Sequence, residues 1–314
     1  MGINILQFVS GSVLLYFGAD FLILGSKSIA SKFKIPPLVV GITLVAFGTS
    51  LPELIVSIIA ILKGEPGIVI GNVVGSNIAN IGLVLGVTAI LTPIVFSFKK
   101  IGFDLYFLIV ITFLPLLFMY IGELVLWQGI CFLLLLGGYC WHLLNKDHEY
   151  ENDHSDKNLS DGLTISLKII FGIIGLGLGA HVFVLGAKGI AIALGVSSLV
   201  IGMSIVALGT SLPELAASIA SAKHGETGFI IGNIIGSNIM NIVAVLGLTL
   251  LISPISVEFS NVATHGIFMV ILTLGLFFLL KFKGGVTKFS AGVLILIYII
   301  FLYFNFQSGV GIEL

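Results

Sequence analysis

The residues best suited to chemistry in this chain are two glutamates, Glu53 and Glu214, each inside the same seven-residue motif. The motif reads Gly-Thr-Ser-Leu-Pro-Glu-Leu at residues 48–54 and again, letter for letter, at residues 209–215. Each copy lies in an apolar segment long enough to cross a bilayer. A carboxylate there is costly unless it faces a partner, a cavity or an ion. The repetition therefore predicts that the two buried carboxylates belong to the functional centre of the molecule.

A second polar block follows each motif at the same distance. Asparagine, serine and asparagine recur every four residues in both blocks, as Asn72, Ser76 and Asn80 and as Asn233, Ser237 and Asn241. On a helix this spacing makes one polar stripe. The glycine and proline that flank Thr-Ser predict a break in the preceding helix, which would free backbone carbonyls such as those of Ala46 and Ala207.

The two motifs together offer hard oxygen donors of four kinds: carboxylates, hydroxyls, side-chain amides and backbone carbonyls. The hydroxyls belong to Thr49, Ser50, Thr210 and Ser211, with two further serines in the second blocks. Calcium takes six to eight such ligands in flexible geometry, and sodium is a hard cation of similar size. Histidine and cysteine, the usual ligands of zinc, are absent from both blocks. This donor set predicts a site for calcium and sodium.

Several polar and small residues near the motifs have structural interpretations as well. Asn72 and Asn233 could cap helix ends or bond across helices instead of binding an ion, and the sequence leaves both roles open. The Gly-x-x-x-Gly pairs at residues 71 and 75 and at residues 82 and 86 predict close helix packing. Asp20 is predicted to make a helix contact or to give protons access.

The composition places nearly the whole chain in lipid. Of its 314 residues 58% are hydrophobic and only 9% are charged, and the mean hydropathy is +1.21. A soluble protein carries about 25% charged residues. The sequence thus predicts an all-α polytopic integral membrane protein. The net charge of −1 and the absence of arginine exclude a nucleic-acid partner. No resident cofactor and no obligate protein partner are indicated.

Apolar segments of about 20 residues predict ten transmembrane helices. They fall near residues 4–30, 36–63, 67–92, 101–121, 123–145, 164–193, 197–223, 228–252, 262–281 and 287–306. An acidic linker at 145–163 separates two five-helix repeats at 1–144 and 164–314. Residues 38–90 and 199–251 share about 30 of 53 positions without gaps. Because five is odd, the second repeat must enter the membrane upside down, as in secondary transporters.

The lysines predict the orientation. On the ten-helix prediction, 12 of the 14 lysines fall toward one side of the membrane and only Lys63 and Lys188 toward the other. The positive-inside rule then places the linker in the cytoplasm and both termini outside. We expect the membrane to be the cell (inner) membrane.

The two motif pairs, the ten-helix inverted layout and the orientation resemble the sodium/calcium exchanger family of the cation/calcium antiporter superfamily, prokaryotic type. Residues 41–86 and 202–247 would be its alpha-1 and alpha-2 motifs. The resemblance implies four adjoining cation sites that sodium and calcium occupy alternately. It implies that the first and sixth helices slide across the core to switch access. The implied ligands are Ala46, Thr49, Ser50, Glu53, Ser76, Asn80, Ala207, Thr210, Ser211, Glu214, Ser237 and Asn241.

The function implied is sodium/calcium antiport by alternating access, and the protein would not be an enzyme. Calcium/proton exchange on the same fold is the alternative, although the proton-coupled exchangers differ at the first motif. A cation channel and an intramembrane hydrolase that uses the two glutamates as acid and base are further alternatives. The sequence provides no distinct nucleophile for hydrolysis. Some prokaryotic relatives carry aspartate where this chain has Asn241, which makes the donor set here more symmetric.

Overall fold

The computed structural model describes residues 1–145, 161–194 and 207–307, and these are almost entirely helical. The helices of the first half are α1 (Gly2–Phe33), α2 (Pro37–Thr49), α3 (Leu51–Leu62), α4 (Pro66–Leu91), α5 (Phe98–Ile121) and α6 (Leu126–Asn145). Those of the second half are α7 (Gly162–Ala193), α8 (Ala207–Gly209), α9 (Leu212–Lys223), α10 (Thr227–Ile252), α11 (Phe259–Lys283) and α12 (Lys288–Gln307). The two short strands are β1 (Ile94–Val95) and β2 (Gly285–Val286).

The predicted all-helical membrane fold is confirmed. Helices can cross lipid because they satisfy their backbone hydrogen bonds internally. Within the described ranges, eight helices are long and apolar enough to span a membrane, and the bent pair α2 and α3 would make a ninth. The predicted seventh helix, 197–223, begins outside the described residues, and its described part is α8 and α9. Residues 146–160 of the predicted linker also lie outside them. The count of ten spans therefore stays a prediction.

The repeat in the sequence is matched by a repeat of secondary structure. A shift of 161 residues carries Leu51–Leu62 onto Leu212–Lys223 and Pro66–Leu91 onto Thr227–Ile252 without any adjustment of the ends. Both long helices contain a π-helical stretch at the same place, Asn80–Leu85 in α4 and Asn241–Leu246 in α10. Each π-helical stretch begins at the last asparagine of a polar block. Short π-helical stretches inside α-helices occur often at functional sites.

The short extended segments pair across the two halves in the same symmetric way. Ile94 and Val95 pair with Val286 and Gly285, and Leu124 forms a single bridge with Ile255. Residue 255 is residue 94 shifted by 161, and residue 285 is residue 124 shifted likewise. The segments of one half thus pair with the segments of the other in both directions.

The chain divides into two compact units. The first unit consists of Met1–Ser50 and Leu143–Gly236, and the second consists of Leu51–His142 and Ser237–Leu314. The chain thus passes from one unit to the other inside the first seven-residue motif, after Ser50, and inside the second polar block, after Gly236. Each unit takes residues from both halves of the sequence.

The first unit is built on the contact between α1 and α7, which glycines bring very close together. A Cβ added at Gly18 would lie 2.7 Å from the backbone nitrogen of Leu176, and one added at Gly172 would lie 2.6 Å from that of Leu22. Gly11, Gly25, Gly179 and Gly186 make similar contacts between the same two helices. Small residues at such an interface allow backbones to approach in lipid, where the hydrophobic effect gives helices no reason to associate. Leu22 and Leu176 are fully buried in this core.

In the second unit, α4 packs closely against α12. A Cβ at Gly82 would meet the ring of Tyr298, and one at Gly86 would meet Ile295. The predicted packing role of this glycine pair is confirmed. The prediction is wrong for Gly75, where an added Cβ would have no atom of the described residues within 4 Å.

Candidate functional site

In the first unit the predicted helix break lies at Ser50. Helix α2 ends at Thr49, Ser50 leaves helical geometry with φ −84° and ψ 4°, and α3 starts at Leu51. Pro52 explains the break: proline has no N–H to donate to the carbonyl four residues earlier, and its ring clashes with that carbonyl. The resulting bend ends the hydroxyl-bearing segment of the first motif.

The structure corrects one expectation about this break. The carbonyl of Ala46 is not freed, because the backbone N–H of Ser50 donates to it at 3.0 Å and Thr49 Oγ1 lies 3.2 Å from it. Helical hydrogen bonding continues to Ser50. The carbonyl that Pro52 cannot serve with a helical N–H is that of Gly48, four residues earlier. A role for Ala46 as a cation ligand stays a prediction.

The corresponding turn of the second half is tighter. The backbone N–H of Ser211 donates to Leu208 O, three residues back, at 3.2 Å, and α9 begins at Leu212. Ser211 is buried, and its Oγ has no hydrogen-bond partner within the described residues. Thr210 is half-buried, and the carbonyl predicted as a ligand belongs to Ala207, the first residue of α8.

Glu214 is the carboxylate of the first unit, and it is fully buried in the first turn of α9. Ser50 Oγ, from the other half of the sequence, donates to Glu214 Oε1 at 3.3 Å. The structure thus brings together a hydroxyl of the first motif and the carboxylate of the second, as the sequence predicted. A buried carboxylate is stable only with such partners or with cations.

Asn233 of α10 contacts both Thr49 of the first motif and the helix that carries Glu214. Its Nδ2 donates to the backbone carbonyl of Glu214 at 3.2 Å and to Ser218 Oγ at 3.1 Å. Its Oδ1 lies 3.1 Å from Thr49 Oγ1. The side chain is fully buried. Asn233 therefore bonds across three helices, which is one of the two roles that the sequence left open.

Asn72 does the same in the second unit. Its Nδ2 donates to the backbone carbonyl of Glu53 at 2.9 Å and to Ser57 Oγ at 2.8 Å, four residues along α3. These two contacts repeat two of the three contacts of Asn233 under the shift of 161 residues, those with Glu214 O and Ser218 Oγ. Glu53 itself is fully buried in the first turn of α3. Each glutamate is thus positioned by an asparagine of the long helix that follows it in sequence.

The second unit also holds the remaining predicted donors, on α4 and α10. Ser76, Asn80, Ser237 and Asn241 are all buried. Both amide atoms of Asn80 and the Oδ1 of Asn241 have no hydrogen-bond partner in the part of the chain that the structure describes. Buried amide groups are almost always hydrogen-bonded, so orphaned ones need an explanation. Oxygens left over at predicted ligand positions are suited to a cation.

Asn77 was not among the predicted site residues, but it bonds directly to one of them. Asn241 Nδ2 donates to Asn77 Oδ1 at 3.2 Å, between α10 and α4. The signal was present in the sequence, since Asn77 and its counterpart Asn238 stand next to the serines in both Gly-Ser-Asn blocks. The prediction missed them because it considered only residues spaced four apart on each helix, and Asn77 and Asn238 fall outside that spacing.

In the part of the chain that the structure describes, carboxylates and imidazoles do not cluster in the way that transition-metal sites require. Among the described residues there is no group of three or more histidine, cysteine, aspartate and glutamate side chains placed to hold a metal ion. The candidate donors are instead one carboxylate per unit with hydroxyl and amide oxygens around it. Such oxygen-rich, weakly charged sets suit calcium and sodium rather than zinc.

Asp20 lies outside this donor set and makes a helix contact. Its Oδ1 lies 2.7 Å from His224 Nε2 and 3.5 Å from Lys223 Nζ, both at the end of α9. Lys223 also donates to the hydroxyl of Tyr16 at 2.8 Å. Two turns further along α1, Lys27 pairs with Glu226 at 3.0 Å. These contacts join α1 to the polar end of α9.

Comparison with known proteins gives a consistent result. The family model for the sodium/calcium exchanger protein matches residues 3–145 and 165–307. An uncharacterized membrane protein of Methanocaldococcus jannaschii is 39% identical over 280 residues, which is 88% of this chain and 89% of that protein. The sodium/calcium exchanger MaX1 of Methanosarcina acetivorans is 33% identical over 341 residues, which covers 96% of this chain and 97% of the relative.

Solved structures agree. A structure of the sodium-calcium exchanger NCX_Mj, soaked with 10 mM Na⁺ and 10 mM Sr²⁺, matches with a TM-score of 0.81 and 36% sequence identity. The match covers 95% of this chain and 97% of that one. A second structure of the same exchanger, soaked with 2.5 mM Na⁺ and 1 mM Sr²⁺, gives a TM-score of 0.82.

Proposed function

The chain belongs to the sodium/calcium exchanger family of integral membrane cation/calcium antiporters, and from this premise we propose that it exchanges Na⁺ for Ca²⁺ by alternating access. Calcium and sodium are then transported substrates. The proposal extends to the ten-span topology with inverted repeats, both termini outside and residues 145–163 in the cytoplasm of the cell's inner membrane. The lysine distribution supports this orientation.

The observation that carries the proposal is the set of buried oxygen atoms without partners at predicted ligand positions. Ser211 Oγ in the first unit and the Oδ1 atoms of Asn80 and Asn241 in the second have no hydrogen-bond partner among the described residues. An orphaned polar atom in a membrane costs free energy unless something binds it. A hard cation is the ligand that oxygens of this kind prefer.

We assign the ion-binding role to the donors of both units. In the first unit they are Thr49, Ser50, Thr210, Ser211 and Glu214, with the carbonyl of Ala207. In the second unit they are Glu53, Ser76, Asn80, Ser237 and Asn241. The asparagines at 72 and 233 position the two glutamates through their backbone carbonyls.

The charge of the donors determines whether exchange of sodium for calcium responds to the membrane potential. Glu53 and Glu214 are the acidic residues among them, so the deprotonated protein offers two negative charges to the ions. One calcium ion or two sodium ions cancel these charges. A third sodium ion would leave one positive charge, so exchange of three sodium ions for one calcium ion would be driven by voltage, at about 2.3 kcal/mol per 100 mV for a full charge.

The test is uptake of radioactive calcium into proteoliposomes that contain the purified protein. Vesicles loaded with Na⁺ and diluted into Na⁺-free medium should accumulate calcium, whereas vesicles loaded with K⁺ or carrying only a proton gradient should not. Calcium uptake driven by a proton gradient alone would show that the coupling ion is the proton and not sodium. Rapid calcium flux without any counter-cation would refute antiport and indicate a channel.

A further inference from the structure

Asn77 occupies a place in the second unit where its amide can face only one way. Its side chain is 1% exposed and lies between Asn241 and Met269. Asn77 Nδ2 faces Met269 Sδ at 3.8 Å, and Asn77 Oδ1 accepts the hydrogen bond from Asn241 Nδ2 at 3.2 Å. A thioether sulfur accepts hydrogen bonds weakly and donates none. The NH₂ end of the Asn77 amide is therefore the end that belongs next to Met269.

The orientation of the Asn77 amide determines the orientation of the Asn241 amide. Because the oxygen of Asn77 faces Asn241, the NH₂ group of Asn241 must face Asn77. The atom of Asn241 that is left over is Oδ1, which is buried and has no hydrogen-bond partner in the described ranges. A cation binds an amide through its oxygen and is repelled by its NH₂ group, so the order of donors and acceptors from Met269 through Asn77 decides what Asn241 presents.

The symmetric position behaves differently. Asn80 corresponds to Asn241 under the shift of 161 residues, yet neither its Nδ2 nor its Oδ1 has a hydrogen-bond partner within the residues described. Nothing comparable orients its amide. The oriented amide of Asn241 thus results from its tertiary contacts and not from the repeated motif itself.

We propose that Asn77 is a positioning residue for ion binding, which fixes the amide of Asn241 so that Oδ1 faces the transported cation. Met269 determines the direction of the hydrogen bond between Asn241 and Asn77, because its sulfur can only accept from the NH₂ group of Asn77. The inference rests on the proposed function, because it takes Asn241 as an ion ligand. It assigns a role to two residues outside the ligand set.

Calcium binding to the full-length protein in detergent, measured by equilibrium dialysis with radioactive calcium, tests this directly. Asn77→Leu keeps the branching at Cγ and removes the acceptor, and it should raise the calcium Kd by about 2- to 10-fold, the range expected for one neutral hydrogen bond. Met269→Leu should raise it less. Asn77→Asp keeps an accepting oxygen, so the calcium Kd should not rise.

A double-mutant cycle separates positioning from general damage. In Asn241→Asp both terminal atoms are oxygens, so the orientation of the group no longer matters. In that background Asn77→Leu should raise the Kd by less than about twofold. The matched control is Thr112→Val, which removes a buried hydroxyl of the same unit that bonds Leu108 O within its own helix at 2.7 Å. It should leave the Kd unchanged.

Three results would overturn the inference: an unchanged Kd in Asn77→Leu, an equal rise in the Asn241→Asp background, or a raised Kd in Asn77→Asp. The last decides the question where the leucine variant does not fold. Because the binding measurement needs no sodium, a protein that exchanges calcium for protons would still give the expected cycle and support the role of Asn77. A wild-type protein that binds no calcium would refute the proposed function and this inference together.

Discussion

Asn233 and Asn72 each donate a hydrogen bond to the backbone carbonyl of a buried glutamate. Replacing them with alanine should destabilise the protein to different degrees. Asn233 makes contacts with Glu214 O, Ser218 Oγ and Thr49 Oγ1 at 3.1 to 3.2 Å and is fully buried. Asn72 donates to Glu53 O and Ser57 Oγ and is half-buried. We expect Asn233→Ala to be the more destabilising change because it breaks more hydrogen bonds and leaves its partners buried.

The magnitude follows from the number of contacts. A neutral intramolecular hydrogen bond contributes about 0.5–1.5 kcal/mol, and leaving a buried partner unsatisfied adds to the cost. Asn233→Ala should therefore lower the free energy of unfolding by about 2–4 kcal/mol and Asn72→Ala by about 1–3 kcal/mol. Ser218→Ala and Ser57→Ala remove one contact each, so each should cost about 1 kcal/mol.

The assay is thermal unfolding of the purified variants in one detergent, with and without calcium, together with sodium-driven calcium uptake. A ligand that binds the folded state raises the Tm, so the size of the calcium-induced rise reports on the site. Both asparagine variants should show a smaller rise than wild type, because the glutamates lose their support. If Asn233→Ala unfolds no earlier than Ser218→Ala and retains the full calcium-induced rise, then the bond to Glu214 O positions nothing and the reasoning is refuted.

Three further changes test the site, the pH dependence and the helix contact. Glu53→Gln and Glu214→Gln remove the charges and keep the volumes, so each should abolish calcium uptake in a folded protein; near-normal uptake in either would refute its assignment. Lowering the pH should inhibit wild-type exchange in competition with calcium, since protons neutralise the same two carboxylates, and inhibition that excess calcium does not relieve would contradict this. Gly18→Leu should disrupt the contact with α7 and lower the Tm, whereas Gly177→Leu should be tolerated because an added Cβ there meets no atom of the described residues within 4 Å; equal losses would contradict the packing argument.

Much of the fold could be predicted because membrane helices are constrained by lipid thickness and by backbone hydrogen bonding. The predicted helix at 36–63 is found as Pro37–Leu62 with its break at Ser50, where Pro52 requires it. The sequence also predicted that donors of both motifs would meet, and Ser50 and Glu214 do. Local chemistry and the repeat were sufficient for these features.

The features that could not be predicted depend on contacts between distant residues. The carbonyl of Ala46 is engaged because the helix continues one residue further than glycine and proline alone imply. The partners of Asn72 and Asn233 depend on which helices pack together, so the sequence left two roles open. The orientation of the Asn77 amide depends on Met269, which is 192 residues away in the chain.

The relation between repeat and site explains why a nearly symmetric sequence gives unequal donors. The shift of 161 residues preserves the backbone elements and the asparagine contacts to the glutamate carbonyls. It does not preserve the environment of the last asparagine, since Asn241 is held by Asn77 while both amide atoms of Asn80 have no partner in the described residues. An oriented amide presents its oxygen without first losing rotational freedom, whereas an unheld one must be ordered by the ion. Identical residues at equivalent positions of the repeat can therefore present different donors.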